Sequence, residues 1–231
     1  MPVTDLVART VETSRSAERP EGTVVGAHAP EWSRVAESWA KRVLDILGAL
    51  TAILIFLPLL ITIALAVRLE SGGPSIFKQR RTGHFGRIFT IYKFRTMTVA
   101  EDGSAVRQAT RDDDRVTAIG GLLRKLSLDE LPQFFNVLKG DMSLVGPRPH
   151  ALAHDAYYGG IIPAYVDRFR AKPGLTGLAQ VNGLRGEVQD LRLMRDRVAA
   201  DNLYIESWSL GLDVAILAKT ALIIFRDPQA Y

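Results

Sequence analysis

The residue types best suited to chemistry are concentrated between Arg124 and His150, in RKLSLDELPQFFNVLKGDMSLVGPRPH. Two adjacent acids, Asp129 and Glu130, stand at its centre. One reading is a helix cap, with Ser127 as N-cap and Glu130 reaching back from three residues on, just before an apolar run. Pro132 opposes that frame. Counted from Ser127 it falls at the fifth helical position, where its missing N–H and its ring begin to cost. Counted from Asp129 it falls in the tolerant first turn. The pattern therefore predicts a helix over 129–138 that begins at the acidic pair. At such a helix start carboxylates are favoured as ions, and free amides also attract phosphate. From these residues alone, capping and catalysis both stay open.

Cations surround the pair in sequence. In IYKFRTM an extended strand places Lys93 and Arg95 on one face, a spacing that suits two phosphates and equally a solvated strand surface. In VGPRP, Pro147 and Pro149 bracket Arg148 and restrict its backbone, so the guanidinium is presented with little freedom, or the motif is simply a rigid turn. Arg124 lies five residues before Asp129 and reads as a site cation or a plain surface arginine. Two acids amid several cations match the needs of phosphoryl transfer: a nucleophile or metal ligand, and positive charge for the departing phosphate.

The elements that must carry these groups begin with the run Ile46–Val67, 22 residues without a formal charge between Asp45 and Arg68. As a straight helix it measures roughly 33 Å, enough to cross a hydrocarbon core of about 30 Å. Pro58 sits just past its middle and predicts a bend. Both flanks are basic: Lys41 and Arg42 precede the run, and Arg68, Lys78, Arg80, Arg81 and Arg87 follow it. A single crossing should be basic on one side only, so a re-entrant hairpin with both ends cytoplasmic is expected. A buried core helix would need a polar stripe that is missing.

Residues 1–36 are polar and aperiodic, and they read as a mobile arm with no secretory signal. After Glu70, glycine turns separate short β-branched and aromatic pieces that suit a small hairpin. The polar stretch 98–117 contains Asp112, Asp113 and Asp114, which read as a solvated loop rather than a metal site. Helical patterns follow over 120–125, 129–138, 162–170 and 188–205. A last apolar stretch ending at Arg226 is either a packing helix or a second contact with the bilayer.

Composition narrows the function classes. The chain has 231 residues, 29 basic against 25 acidic for a net charge of +4, and no cysteine. The charge suits a phosphate or anionic-lipid partner. A thiolate nucleophile, a disulfide framework and a cysteine zinc site are excluded. No nucleic-acid partner is expected, because the aromatics do not alternate with cations as a base-stacking surface requires.

KRVLDILGAL with Pro58, then KFRTM, RKLSLDELPQFFNVLKGDMSLVGPRP and KPGLTGLAQVNG, occur in an order and spacing that resemble the bacterial sugar transferases, the monotopic polyprenyl-phosphate phosphoglycosyl transferases. The resemblance covers about residues 41–226. It implies transfer of a hexose 1-phosphate from a UDP-sugar to undecaprenyl phosphate with release of UMP. The route is a covalent aspartyl-phosphosugar intermediate, and the reaction is the first membrane step of exopolysaccharide or capsule synthesis. Asp129 is then the nucleophile and the ligand of Mg2+, and Glu130 its neighbouring acid. Lys93, Arg95, Arg124 and Arg148 serve phosphate or substrate, and Asp201 is a further active-site carboxylate. The helix break falls at Pro58, where Leu57 replaces the serine that members often carry before the proline.

PRPHALAHDAYY followed by KPGLTGLAQVNGLRGE is similar to the branch that uses glucose 1-phosphate. Galactose 1-phosphate, N-acetylhexosamine 1-phosphate and a non-catalytic membrane scaffold are the alternatives. The expected architecture is α/β, with a small, mostly helical catalytic domain over 71–231 that contains a short sheet. A proline-kinked re-entrant membrane helix over 37–70 and interfacial amphipathic helices anchor it. The resemblance places the domain on the cytoplasmic face of the inner membrane, with the UDP-sugar, undecaprenyl phosphate and membrane lipid as partners, and it allows a homodimer.

Overall fold

The uncharged run lies inside one long helix, α1 (Trp39–Ser71), in the computed structural model of the chain, which describes residues 33–98, 113–186, 188 and 190–226. The Ser38 hydroxyl caps its start by accepting from the Lys41 amide. Pro58 lies within the helix with helical structure on both sides, and the Thr62 hydroxyl donates to the Pro58 carbonyl at 2.9 Å. By length and composition α1 could cross a membrane. Its buried residues, Lys41, Asp45, Ala49, Ile53, Leu60, Ile63 and Val67, form one stripe at helical spacing. Leu47, Leu54, Ile55, Ile61 and Leu65 are exposed on the remaining surface.

That stripe rests on the rest of the chain at both ends. At the start, Lys41 Nζ donates to Asp213 at 2.7 Å and to Val145 O and Tyr204 Oη at 3.0 Å. Arg42 donates to the carbonyls of Val137 and Leu138, and Asp45 accepts from Ser143 Oγ and the Leu144 amide. Towards the far end, Leu60, Ile63 and Val67 share a core cluster with Phe94 and Leu123. Lys41 and Arg42, read from sequence as the basic flank before the run, are thus tied into the fold. Residues 1–32 lie outside the described residues, but the end of the expected arm is folded: Val35 is buried in the main core and Ser33 Oγ donates to Arg170 O.

The main elements after α1 are, in order, β1 (Ile76–Thr82), β2 (Ile88–Phe94), α2 (Ala118–Lys125), α3 (Gln133–Lys139), β3 (Ser143–Val145), α4 (Leu152–Ile161), β4 (Gly174–Thr176), α5 (Leu191–Ser207) and α6 (Leu210–Arg226). The expected α/β domain is therefore mostly helical, with β1–β2 pairing antiparallel and β3–β4 pairing parallel. Asn136, fully buried on α3, docks that helix on β2 by donating to Thr90 O at 2.7 Å and accepting from the Tyr92 amide at 3.0 Å. The side chain thereby satisfies strand backbone groups that would otherwise lack partners.

Parallel pairing of β3 and β4 sets the VGPRP motif against KPGLTG. The approach is too close for side chains. A Cβ on Gly174 would lie 2.1 Å from the Gly146 nitrogen, and one on Gly146 would lie 2.3 Å from Lys172 O.

Three local expectations need correction. The helix expected over 129–138 starts only at Gln133, because the chain first makes a 3-10 turn over Leu128–Glu130 and Pro132 then occupies the N-cap of α3. Ser127 makes no capping bond and is itself left-handed, with φ 55°. The pattern over 162–170 forms a 3-10 segment, Pro163–Arg170. Of the aspartate triplet, Asp112 and most of the polar stretch lie outside the described residues, while Asp113 is buried against Arg115 rather than solvated.

Candidate active site

The 3-10 turn holds both acids between two elements. On one side, Leu128 and Leu131 pack into the cluster formed with Leu60, Ile63 and Val67 of α1. On the other, Lys93 projects from near the end of β2 and Arg148 from the proline-bracketed turn after β3. The acidic pair therefore sits where the domain meets the apolar helix.

The two carboxylates have different fates. Glu130 is engaged by both cations: Lys93 Nζ at 2.7 Å, and the Arg148 guanidinium through Nη2 at 2.6 Å and Nη1 at 3.2 Å. Burial opposes its ionisation, but Arg148 and Lys93 outweigh that and hold its carboxyl far below the usual carboxylate range. Asp129 lies farther from Lys93, with Oδ2 at 3.9 Å, and is 9% exposed. Burial is the main cause that lifts its carboxyl to about 6; the Glu130 charge adds to the rise, and Lys93, Arg148 and Arg124 counter it. Neighbouring acids whose ionisation is pushed in opposite directions are a signature of divided chemical labour. Glu130 takes the close contacts of both cations, and Asp129 is left with Lys93 at 3.9 Å.

Lys93, Asp129, Glu130 and Arg148 thus come together, and the charge of Arg124 is felt at Asp129. Arg95 does not join them. It stands one residue beyond β2, and its Nη2 donates to Gly72 O and to Ser71 Oγ, at the C-terminal end of α1. A cation there complements the helix dipole. Asp201 does not touch the acidic pair either: it is buried on α5 and accepts from Arg168 Nε at 2.8 Å. Pro58 belongs to α1 and takes no part in the site.

Sequence reasoning missed Asn136, Arg168 and Arg185. Asn136 could have been flagged as a lone amide inside the apolar stretch FFNVL. Arg168 carries no local signal. Arg185 reaches Ser127 Oγ at 3.4 Å from a loop whose Gly186 carbonyl is held by Arg197 at 2.8 Å. Among the described residues no three carboxylate or imidazole side chains converge to cage a metal.

The family model described as bacterial sugar transferase matches residues 36–227, a range that includes every residue of this site. The chain belongs to the bacterial sugar transferase family. Within it, the chain is 54% identical over 198 residues to the UDP-glucose:undecaprenyl-phosphate glucose-1-phosphate transferase of Caulobacter vibrioides, covering 86% of this chain and 74% of that protein. The protein with the same name in Xanthomonas campestris is 48% identical, over 83% of this chain and 40% of the relative. The UDP-N-acetylgalactosamine-undecaprenyl-phosphate N-acetylgalactosaminephosphotransferase of Aeromonas hydrophila is 45% identical, over 79% and 43%. The chain thus spans about two fifths of the Xanthomonas and Aeromonas relatives.

Proposed function

We propose that this phosphoglycosyl transferase moves a hexose 1-phosphate, glucose 1-phosphate in the first instance, from a UDP-sugar to undecaprenyl phosphate. The observation that carries the reading is the division of the acidic pair: a cation-bound Glu130 beside an Asp129 held apart in a buried, positively lined turn. In the first displacement an Asp129 oxygen forms a bond to the phosphorus that bears the sugar, and the bond from that phosphorus to the UMP oxygen breaks. In the second, an oxygen of the lipid phosphate attacks the same phosphorus and Asp129 leaves as carboxylate. Lys93, Arg124 and Arg148 lower the repulsion between an anionic nucleophile and an anionic phosphate, and they receive the charge of departing UMP.

Mg2+ fits such a site, since it commonly rests on one or two carboxylates completed by water and substrate phosphates rather than on an all-protein cage. Asp129 would hold it, and the ion would supply further neutralisation of the diphosphate. Two displacements let one site serve a soluble donor and a lipid acceptor in turn. The leucines on either side of the acidic turn, packed on α1, support lipid access.

The test is UMP release by the purified protein with Mg2+, using undecaprenyl phosphate and UDP-glucose, UDP-galactose or a UDP-N-acetylhexosamine in separate reactions. Lipid-dependent release with UDP-glucose is expected, and preference for another donor renames the sugar. Silence with every donor, from folded and lipid-associated protein, overturns the reaction.

The membrane arrangement that fits best is monotopic: α1 enters and returns at Pro58, with the domain on the cytoplasmic face of the inner membrane. The support is that both halves of α1 rest on the same domain while their other surface exposes leucine and isoleucine. A helix crossing the bilayer would carry its far half away from that domain. The chain has no cysteine, so Glu37→Cys and Lys78→Cys give background-free labelling sites on either side of the apolar run. Both should react with an impermeant thiol reagent only from the cytoplasmic side. Reaction of either from the periplasm means a full crossing.

A further inference from the structure

We propose that Arg168 is a positioning residue for Arg148: anchored by Asp201, it fixes the backbone carbonyl of Arg148 and so aims that guanidinium at the donor's diphosphate. The inference rests on the reading above that Arg148 binds phosphate.

The turn that carries Arg148 has few ways to hold itself. Pro147 and Pro149 have no N–H to donate, so its local backbone contacts run mainly through carbonyls. Val145 O accepts from Lys41 Nζ, and Pro147 O accepts from the Gly174 amide at 2.9 Å. The carbonyl of Arg148 itself accepts from Arg168 Nη2 at 2.6 Å.

Arg168 is 3% exposed, and each of its three nitrogens has a partner. Nε donates to Asp201 at 2.8 Å, Nη1 lies 3.1 Å from His150 Nδ1, and Nη2 takes the Arg148 carbonyl. Its guanidinium carbon lies 5.0 Å from the centre of the Tyr165 ring. Burial, together with the surrounding arginines, pushes the His150 ring's pKa well down, so it adds no charge beside Arg168, and its Nδ1 also lies 2.6 Å from Tyr165 Oη. A planar fork held at every nitrogen has no freedom to follow a displaced carbonyl.

A buried ion pair is a poor source of net stability, because desolvating both charges offsets their attraction. What the pair supplies here is direction. Arg148 has to satisfy Glu130 with one edge while its side chain, 41% exposed, keeps a solvent-facing surface for substrate. An error of about 1 Å in such a group can cost about a hundredfold in rate. Asp201 thus acts two contacts away from the chemistry, through Arg168 and then through the main chain of Arg148.

The experiment uses the full chain in detergent with four variants: Asp201→Asn, Arg168→Lys, Arg148→Ala and Arg168→Lys combined with Arg148→Ala. Two readouts are taken, kcat and KM for UMP release and the affinity for inorganic pyrophosphate, which does not depend on the sugar. Asp201→Asn and Arg168→Lys are each expected to lower kcat/KM by about 10–100-fold and to weaken pyrophosphate about tenfold. Adding Arg168→Lys to Arg148→Ala should lower neither quantity further.

Losses that multiply in the double variant overturn the proposal, because Arg168 then acts by another route. Wild-type values in both Asp201→Asn and Arg168→Lys overturn it, and so does failure of both to fold, which makes the pair purely structural. Wild-type protein that binds pyrophosphate but releases no UMP with any donor removes the proposed reaction, while the link from Arg168 to Arg148 is still read in binding.

Discussion

Asp129→Asn is expected to abolish UMP release, by about 10^4-fold or more, and at the same time to raise the melting temperature of the ligand-free protein at pH 7.5. The first effect follows from the proposed reaction, in which Asp129 supplies the attacking oxygen. The second follows from where that group is kept. Burial lifts the Asp129 carboxyl from its ordinary 3.8 to about 6, so the folded state holds this proton more tightly than the unfolded chain does. An acid shifted in that direction destabilises the fold when ionised. The cost is fully present above about pH 6 and fades as pH falls from there towards 3.8. At neutral pH it is on the order of 2–3 kcal/mol, which asparagine escapes because it carries no charge.

Thermal unfolding of both proteins at pH 7.5 and pH 4 checks this: the gain should appear at the higher pH and largely vanish at the lower. The wild-type enzyme should show the same group in its rates, with kcat/KM falling about tenfold per pH unit below about 6 as the nucleophile becomes protonated. Transfer by Asp129→Asn within tenfold of wild type would mean that another residue attacks. A lower melting temperature would mean that the ionised carboxylate is welcome where it lies.

The grouping of the acidic pair with its cations was legible because it depends on residue types that cannot be hidden in a sequence. Adjacent acids, a lysine on a strand and an arginine between two prolines announce themselves locally, and the fold brings Lys93, Asp129, Glu130 and Arg148 together. Reasoning by alternation failed one residue later. Arg95 shares a strand face with Lys93 only while the strand lasts, and β2 ends at Phe94, which frees the next side chain to cap α1. The helix start failed for a related reason: the left-handed Ser127 reverses the chain before the acids, so the proline marks where helix begins rather than a position within it.

Arg168 was illegible in principle. It reaches Asp201 across 33 residues of sequence and Arg148 across 20, and nothing near it in the chain predicts either contact. The basic flank of the apolar run shows the opposite case, where the expected topology has a different physical basis. Lys41 and Arg42 were read as cations left in the cytoplasm, yet they bond to Asp213 and to the end of α3. It is their attachment to the domain, rather than a surplus of charge, that argues for keeping the start of α1 on the domain's side.

That attachment has a measurable strength. Asp213→Ala is expected to destabilise the protein by about 3–5 kcal/mol, because it strands a buried ammonium without a counter-charge. Lys41 is 5% exposed and Asp213 fully buried, so water cannot take over the lost interaction without opening the joint between α1 and α6. The variant also removes the acceptor of Tyr204 Oη at 2.7 Å and of Trp208 Nε1 at 3.1 Å. Lys41 keeps Val145 O and Tyr204 Oη, but neutral acceptors do not balance a charge in this setting.

Removing both charges is a different matter. Lys41→Met combined with Asp213→Leu replaces the pair by apolar groups of similar bulk and should recover most of the loss, since desolvation no longer has to be offset. Denaturant unfolding in detergent separates the outcomes. A cost below about 1 kcal/mol for Asp213→Ala, or a double variant no better than the single, would show that the joint is held by its surrounding apolar packing instead. Because Lys41 also bonds the carbonyl of Val145, three residues before Arg148, the rescued protein should regain stability without regaining full activity. The same lysine that fastens α1 steadies the strand leading into the Arg148 turn, and an apolar replacement can do only the first of these.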